Sequence, residues 1–169
     1  MLKLNYGSTI KITKNSGFTS NSFTAPDTFI KYIIKYQKYT VYQREKYLAS
    51  ILGKFDWFPR LLYADDEKQY FIYKNVGVPV NKETESKDLK KQFDKILADM
   101  KSVNVQHNDI KIGELLINTN GKIFLCDFGW GSLNNDLGCG VKNIWSCNNK
   151  NKPGGWFDDE NTLKRLGLI

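Results

Sequence analysis

The chain has 169 residues, 41% of them hydrophobic, which suffices for one good core and is too little for two ordinary domains. No apolar run reaches membrane-spanning length, and the opening MLKLNYGSTIK lacks the apolar block of a secretory signal, so we expect a soluble, cytoplasmic protein with no membrane partner. The formal charge of +7 comes from lysines spread along the chain without an RNA-binding signature, so a solvated basic surface is expected rather than a nucleic-acid partner.

Ser8 to Thr24 reads as two strands joined by a polar turn around Gly17, with Ser16, Thr19, Ser20 and Asn21 beside it. Ala25-Pro26-Asp27-Thr28 is turn chemistry. The run TFIKYIIKY that follows is rich in Phe, Ile and Tyr and predicts a strand. Lys31 and Lys35 share its parity, so alternation does not separate them.

Thr40 with Gln43 predicts a capping box, and YQREKYLASIL then predicts a helix with Tyr47, Leu48, Ile51 and Leu52 on one side. Glu45 falls in its second turn. FDWFPRLLYADDEKQYFIYKNVGVPV reads as loop, strand, acidic turn, strand and a connector holding Gly77 and Pro79. From Ser86 to Ser102, Leu89, Phe93, Ile96, Leu97 and Met100 recur at three- and four-residue steps, which predicts an amphipathic helix whose stripe is core.

The stretch from Gln106 to Gly131 carries the chemistry. Leu115 to Ile117 and Ile123 to Leu125 are strand-like, and Asn120-Gly121 between them suits a two-residue hairpin turn. Asp109 and Asp127 flank this hairpin and are expected to meet at its open end. Cys126, Cys139 and Cys147 are odd in number and show no CxxC spacing, so reduced thiols are expected and neither a disulfide framework nor a zinc site. After Gly129 comes a loop rich in Gly and Asn, then at most a short closing helix capped by Asp158 or Asp159.

His107-Asn108-Asp109-Ile110-Lys111 resembles the catalytic loop of the protein-kinase-like superfamily, and Asp127-Phe128-Gly129 resembles its metal-binding turn, 18 residues beyond Asp109. The resemblance runs from about Thr9 to Ser132. It implies an α+β, bilobal protein-kinase-like fold in a single domain over residues 1–169. An antiparallel β N-lobe with one helix would cover about 1–76, a hinge about 73–81, and a much-shortened, mainly helical C-lobe about 82–169.

The same resemblance implies an ATP- and Mg²⁺-dependent transfer of the γ-phosphate to a hydroxyl. Asp109 would orient the acceptor or take its proton, and Lys111 would steady the γ-phosphate. Asp127 would bind Mg²⁺, or Mn²⁺ in its place. Gly17 stands in the segment that would cover the phosphates, although the family's glycine pattern is otherwise absent. Lys31 is the first choice for the strand lysine on the α- and β-phosphates, and Lys35 the second. Glu45 would pair with that lysine; it lies 14 residues from Lys31 but only 10 from Lys35, which favours Lys31. Tyr73, Lys74, Asn75 and Val76 would form the adenine-binding hinge.

Two departures bear on activity. Glu114 stands where the family has a metal-binding asparagine, and it either supplies a second oxygen ligand or turns outward. Asn108 replaces the arginine with which regulated protein kinases read an activation-loop phosphate, so no such switch is expected. The leading expectation is a minimal serine/threonine protein kinase, suited to a virus or to an injected effector acting in a host cytoplasm. A small-molecule kinase of the aminoglycoside or choline kinase type is the second, and a pseudokinase-like binding module the third. The acceptor and the oligomeric state are left open by the sequence.

Overall fold

The structure is a computed structural model that describes residues 13–16, 20–24, 28–33, 38–80, 88–137, 139 and 158–169. It is an α+β chain with small antiparallel sheets. The largest has five strands, in the order β1 (Thr13–Ser16), β2 (Ser20–Thr24), β3 (Thr28–Ile33), β5 (Tyr70–Lys74) and β4 (Leu61–Asp65). The hairpin expected between Ser8 and Thr24 is β1 and β2, with Thr13 opposite Thr24. The strand predicted from TFIKYIIKY is β3 over Thr28–Ile33, central in the sheet, with Lys31 on the rung of Ser22 and Phe71; the last three residues of that run lie outside the described residues. Among the described residues no helix is long and apolar enough to cross a membrane.

Helix α1 (Lys38–Leu52) lies between β3 and β4 in sequence. Thr40 was expected to cap it, but the helix starts two residues earlier and Thr40 lies inside its first turn. Val41, Arg44, Glu45, Leu48 and Leu52 follow one another at helical steps and are all buried. Tyr47, expected on that face, is 40% exposed. It stands one position away from Leu48, about 100° around the helix. The inner face is therefore apolar except for Arg44 and Glu45. Tyr42 stacks on Phe71 of β5 with ring centres 4.5 Å apart, and its hydroxyl donates to Asp66 at 2.8 Å, which docks the helix on the sheet.

Asn75 to Gly77 connect β5 to β6 (Val78–Pro79), which pairs with β8 (Leu115–Ile117). The Asn75 side chain accepts the Gly77 N–H at 3.1 Å, and a Cβ on Gly77 would come 2.1 Å from the Ile117 carbonyl oxygen. Only glycine lets the connector press this closely against β8.

Helix α2 (Leu89–Ser102) buries Phe93, Ile96 and Met100 as its periodicity predicts. Its Gln92 donates to Gly121 O and accepts from Ile123 N, both at 2.9 Å, so one side chain binds the edge of β9 (Ile123–Leu125). Leu125 N, on the same edge, donates to Trp57 O at 3.3 Å.

The β8–β9 hairpin forms where expected, with Leu115 opposite Leu125. Its turn is not the two-residue type. Gly121 N donates to Asn118 O at 3.0 Å, Asn118 N to Lys122 O at 3.1 Å, and only Gly121 has positive φ, at 75°. This is a three-residue loop ending in a left-handed glycine. The Asn118 side chain selects it by accepting the N–H groups of Asn120 and Lys122, each at 2.9 Å.

Strands β7 (Val105–Gln106) and β10 (Ser132–Leu133) pair across the loops that flank this hairpin. A short α3 (Asp159–Arg165) closes the described chain, with Asp158 as its cap, accepting Asn161 N at 2.9 Å. One core includes Leu48 and Leu52 of α1, Phe71 of β5, Phe93 and Ile96 of α2, Leu115 and Leu125 of the hairpin, and Leu163 of α3.

Candidate functional site

The loop after β7 is fixed by hydrogen bonds to its backbone. His107 is fully buried. Its Nε2 lies 2.8 Å from Cys126 O and its Nδ1 lies 3.3 Å from Asp109 N. Since Asp109 N–H must donate, Nδ1 accepts and the ring proton sits on Nε2, where it donates to Cys126 O. The imidazole thus ties the Asp109 loop to the residue before Asp127. Its edge meets the Phe128 ring, with centres 4.6 Å apart.

Asn108 has φ 67°, a left-handed conformation that costs a non-glycine residue about 1 kcal/mol or more. The side chain holds that strained position by donating to Trp130 O at 2.8 Å and to Ser132 Oγ at 3.0 Å. Beneath the loop, Asp159 of α3 accepts the His107 and Asn108 backbone N–H groups at 2.7 and 2.9 Å. Burial pushes the Asp159 carboxyl above the ordinary carboxylate value, against the opposing pull of these two N–H donors.

Asp127 is also left-handed, with φ 65° and ψ 63°, and its carboxylate accepts the Gly129 N–H at 3.4 Å. Phe128 is anchored between Trp57 and Phe58, at 6.4 and 5.7 Å between ring centres. With Phe128 pointing into the core, the turn holds Asp127 in its strained backbone geometry.

Gly129 is one of the points of contact with α1. A Cβ there would stand 3.1 Å from Val41 Cγ1, 3.2 Å from Asp127 Oδ1 and 3.7 Å from Glu45 Oε2. The Glu45 and Asp127 carboxylates therefore converge on one small volume. Glu45 is buried and accepts from the Tyr73 hydroxyl at 3.1 Å. Burial, with Glu45 next in effect and Asp127 further off, raises the Tyr73 hydroxyl well above its ordinary value, so Tyr73 stays a donor.

On the other side of the hairpin's open end, Lys111 Nζ lies 2.6 Å from Asp109 Oδ2. Partial burial acts to lower the Lys111 pKa, but the hydrogen bond and charge of Asp109, with Glu114 and Asp127 adding to them, leave it raised. Glu114 O accepts from Cys126 N at 3.0 Å and from Cys126 Sγ at 3.3 Å. The backbone thus brings Glu114 beside the residue that precedes Asp127. Among the described residues no group of three or more His, Cys, Asp or Glu side chains is placed to hold a metal ion. The charges of Glu114 and Asp127 both act on Lys111, and carboxylate oxygens are the donor type that suits a hard cation keeping waters or phosphate oxygens on its other positions.

Of the residues singled out in the sequence, Asp109 pairs with Lys111, whose charge is also acted on by Glu114 and Asp127, and Glu45 and Asp127 each bring an oxygen within 4 Å of the Cβ position at Gly129. Lys31 is placed by its backbone, on the rung of Phe71, the residue that stacks on α1. Tyr73, expected in a hinge, is a buried β5 residue whose hydroxyl holds Glu45; Asn75 lies in the connector itself. Gly17 and Lys35 lie outside the described residues. The sequence reading missed Asp159 as a brace and Arg44 as a buried member of α1. Arg44 could have been found from its spacing, three residues after Val41 and four before Leu48. No local pattern announces Asp159.

No protein-family model matches the chain, and no curated protein is similar enough to match it.

Proposed function

We propose that the chain is a minimal phosphotransferase with a bilobal, protein-kinase-like fold, moving the γ-phosphate of ATP to a hydroxyl, with a serine or threonine side chain of a protein as acceptor. The observation that carries this reading is the meeting of two loops at one end of the β8–β9 hairpin. One presents Asp109 with Lys111, the other presents Asp127 against Glu45.

Phosphoryl transfer is mostly positioning and charge neutralisation. Asp127 and Glu114 would hold Mg²⁺, which when bound neutralises charge on the nucleotide phosphates. Asp109, braced through its backbone by His107, has its carboxylate fixed against Lys111, so it is set to orient an acceptor hydroxyl and take its proton. Lys111 stays protonated and is set to steady the transferring group. Glu45 faces the Asp127 turn, and Lys31 of β3 pairs along the backbone with Phe71, on which Tyr42 of α1 stacks.

The test is incubation of the full chain with labelled ATP and Mg²⁺ against a protein panel and a metabolite panel containing amino-alcohols and aminoglycosides. Label on protein serine or threonine supports the proposal. Label on a metabolite moves the acceptor to a small molecule. Neither label nor a thermal shift with Mg²⁺ and ATP would overturn the phosphotransferase reading.

A further inference from the structure

Arg44, the residue before Glu45, is the other charge on the inner face of α1. It is 1% exposed and is the largest of the fully buried side chains among the described residues. Nε donates to Leu137 O at 2.5 Å, Nη1 donates to Gly129 O at 2.7 Å, and the guanidinium carbon lies 5.9 Å from the centre of the Trp130 ring. Burying a guanidinium is costly unless its donors are met. Packing alone would be served by an aliphatic residue, as at Val41 and Leu48 one turn to either side. Arginine adds a planar fork of donors that can reach two acceptors in fixed directions.

Both acceptors are backbone carbonyls of the segment after the Asp127 turn. Gly129 belongs to the turn itself, and its α-carbon faces both Asp127 and Glu45. Trp130 O and Ser132 Oγ take the Asn108 amide, and Ser132 and Leu133 pair with Gln106 and Val105 just ahead of His107. A single side chain therefore joins the helix that carries Glu45 to the turn that carries Asp127. Through the same segment it reaches the loop that carries Asp109.

We infer that Arg44 is a positioning residue that fastens α1 to the segment after the Asp127 turn. It sets the approach of Glu45 to Asp127, so that the nucleotide-metal site is assembled by folding alone, with no phosphate needed on that segment. What the assembled site does rests on the phosphotransferase reading; the fastening does not.

The test uses the full chain with Arg44→Met and Arg44→Lys, read in two ways. In amide hydrogen exchange without nucleotide, Arg44→Met is expected to speed exchange at Gly131, Leu133 and the α1 amides around Glu45 together, by about tenfold or more, while the β4–β5 amides keep the parent rates. Arg44→Lys, with a single ammonium able to meet only part of this, falls between. In ATP turnover, Arg44→Met needs about tenfold more Mg²⁺ for half its maximal rate, as expected when support behind a metal ligand is lost. Saturating Mg²⁺ restores most of the rate, and circular dichroism shows Arg44→Met as folded as the parent at the lowest Mg²⁺ concentration used, which separates lost metal support from loss of folded protein.

Unchanged exchange after the turn, or equal acceleration along the whole chain, overturns the fastening. Faster local exchange with an unchanged Mg²⁺ midpoint overturns the positioning role. A parent chain that neither binds nor turns over ATP sinks the phosphotransferase reading instead, and the exchange measurement then decides the fastening by itself.

Discussion

Asp159 follows Asn108 by 51 residues, yet its Oδ1 accepts the Asn108 backbone N–H at 2.9 Å while Oδ2 takes that of His107 at 2.7 Å. A carboxylate is suited to this task because both of its oxygens accept. The loop that presents Asp109 is thereby anchored to a helix near the far end of the chain.

Asp159→Ala leaves two buried N–H groups without acceptors, at about 1 to 3 kcal/mol each. We expect a loss of about 2 to 4 kcal/mol in urea unfolding, a large part of the stability of a domain this size. Phosphate transfer should fall further than the folded fraction does, because the Asp109 loop loosens first. Equal falls in both would mean that Asp159 supports the fold without setting the loop.

The raised Asp159 carboxyl also gives a pH signature. Its ordinary value is 3.8 and the folded value lies above it, so the folded chain holds this proton more tightly than the unfolded chain. Its stabilising contribution is complete below 3.8 and is lost as pH rises through the folded value. Asp159→Asn cannot titrate, so the parent should lose stability relative to it as pH is raised from 3.8 toward neutrality. Urea midpoints of the two proteins across that range are the check, and a constant difference would contradict the burial argument.

The acids of the site should separate by role. Asp127→Ala is expected to abolish Mg²⁺-dependent ATP binding, whereas Asp109→Ala keeps binding and stops transfer. Glu114→Asn removes one charged oxygen ligand and should raise the Mg²⁺ requirement about tenfold, close to 1.4 kcal/mol. Calorimetric titration with ATP at several Mg²⁺ concentrations distinguishes the three. Faster turnover by Glu114→Asn would mark Glu114 as a handicap rather than a ligand.

Gly77→Ala has a backbone origin. The added Cβ meets Ile117 O at 2.1 Å and Ile117 C at 2.5 Å, so relief requires β6 to move away from β8. A loss of about 2 to 3 kcal/mol is expected. Gly113→Ala is the control, since nothing lies within 4 Å of its Cβ, and it should change stability by no more than about 0.5 kcal/mol. Thermal melts of the pair decide.

Cys139 offers a chemical probe of the same region. Burial pushes its thiol up to about 11, with partial relief from the Arg44 charge, and it is 2% exposed. At pH 8 its thiolate fraction is roughly a hundredfold below that of a free cysteine. Iodoacetamide should therefore leave it unmodified in the folded chain by peptide mass spectrometry, while half-buried Cys126 reacts before it. Early labelling of Cys139 would show that the segment after Asp127 opens readily.

The sequence carried those parts of this structure that depend on short spacing. The Leu115 and Ile123 runs, the stripe of α2 and the paired Asp109 and Asp127 loops all follow from patterns within about twenty residues. The turn between β8 and β9 was misread because Asn120-Gly121 is a strong local signal, yet Asn118 offers its side chain to two N–H groups and favours the longer loop. Thr40 was misread for a related reason, because a capping pattern does not prevent a helix from starting two residues before it. Glu45 looks like a surface charge on an amphipathic helix until the packing partner is known, whereas the spacing of Arg44 from Val41 and Leu48 already sets it on the inner face. The brace at Asp159 joins residues half a hundred positions apart, and nothing near either end reports it.

The outer edge of β9 has a consequence for solubility. A short strand at the margin of a three-stranded sheet normally offers its outward N–H groups to any passing chain, which is how intermolecular β-pairing begins. Here Gln92 occupies the Ile123 donor and Trp57 O the Leu125 donor, so an incoming strand finds both already engaged. Protection from self-association at this margin thus comes from an amide on α2 and a carbonyl of the loop after α1, with no added charge or proline in β9.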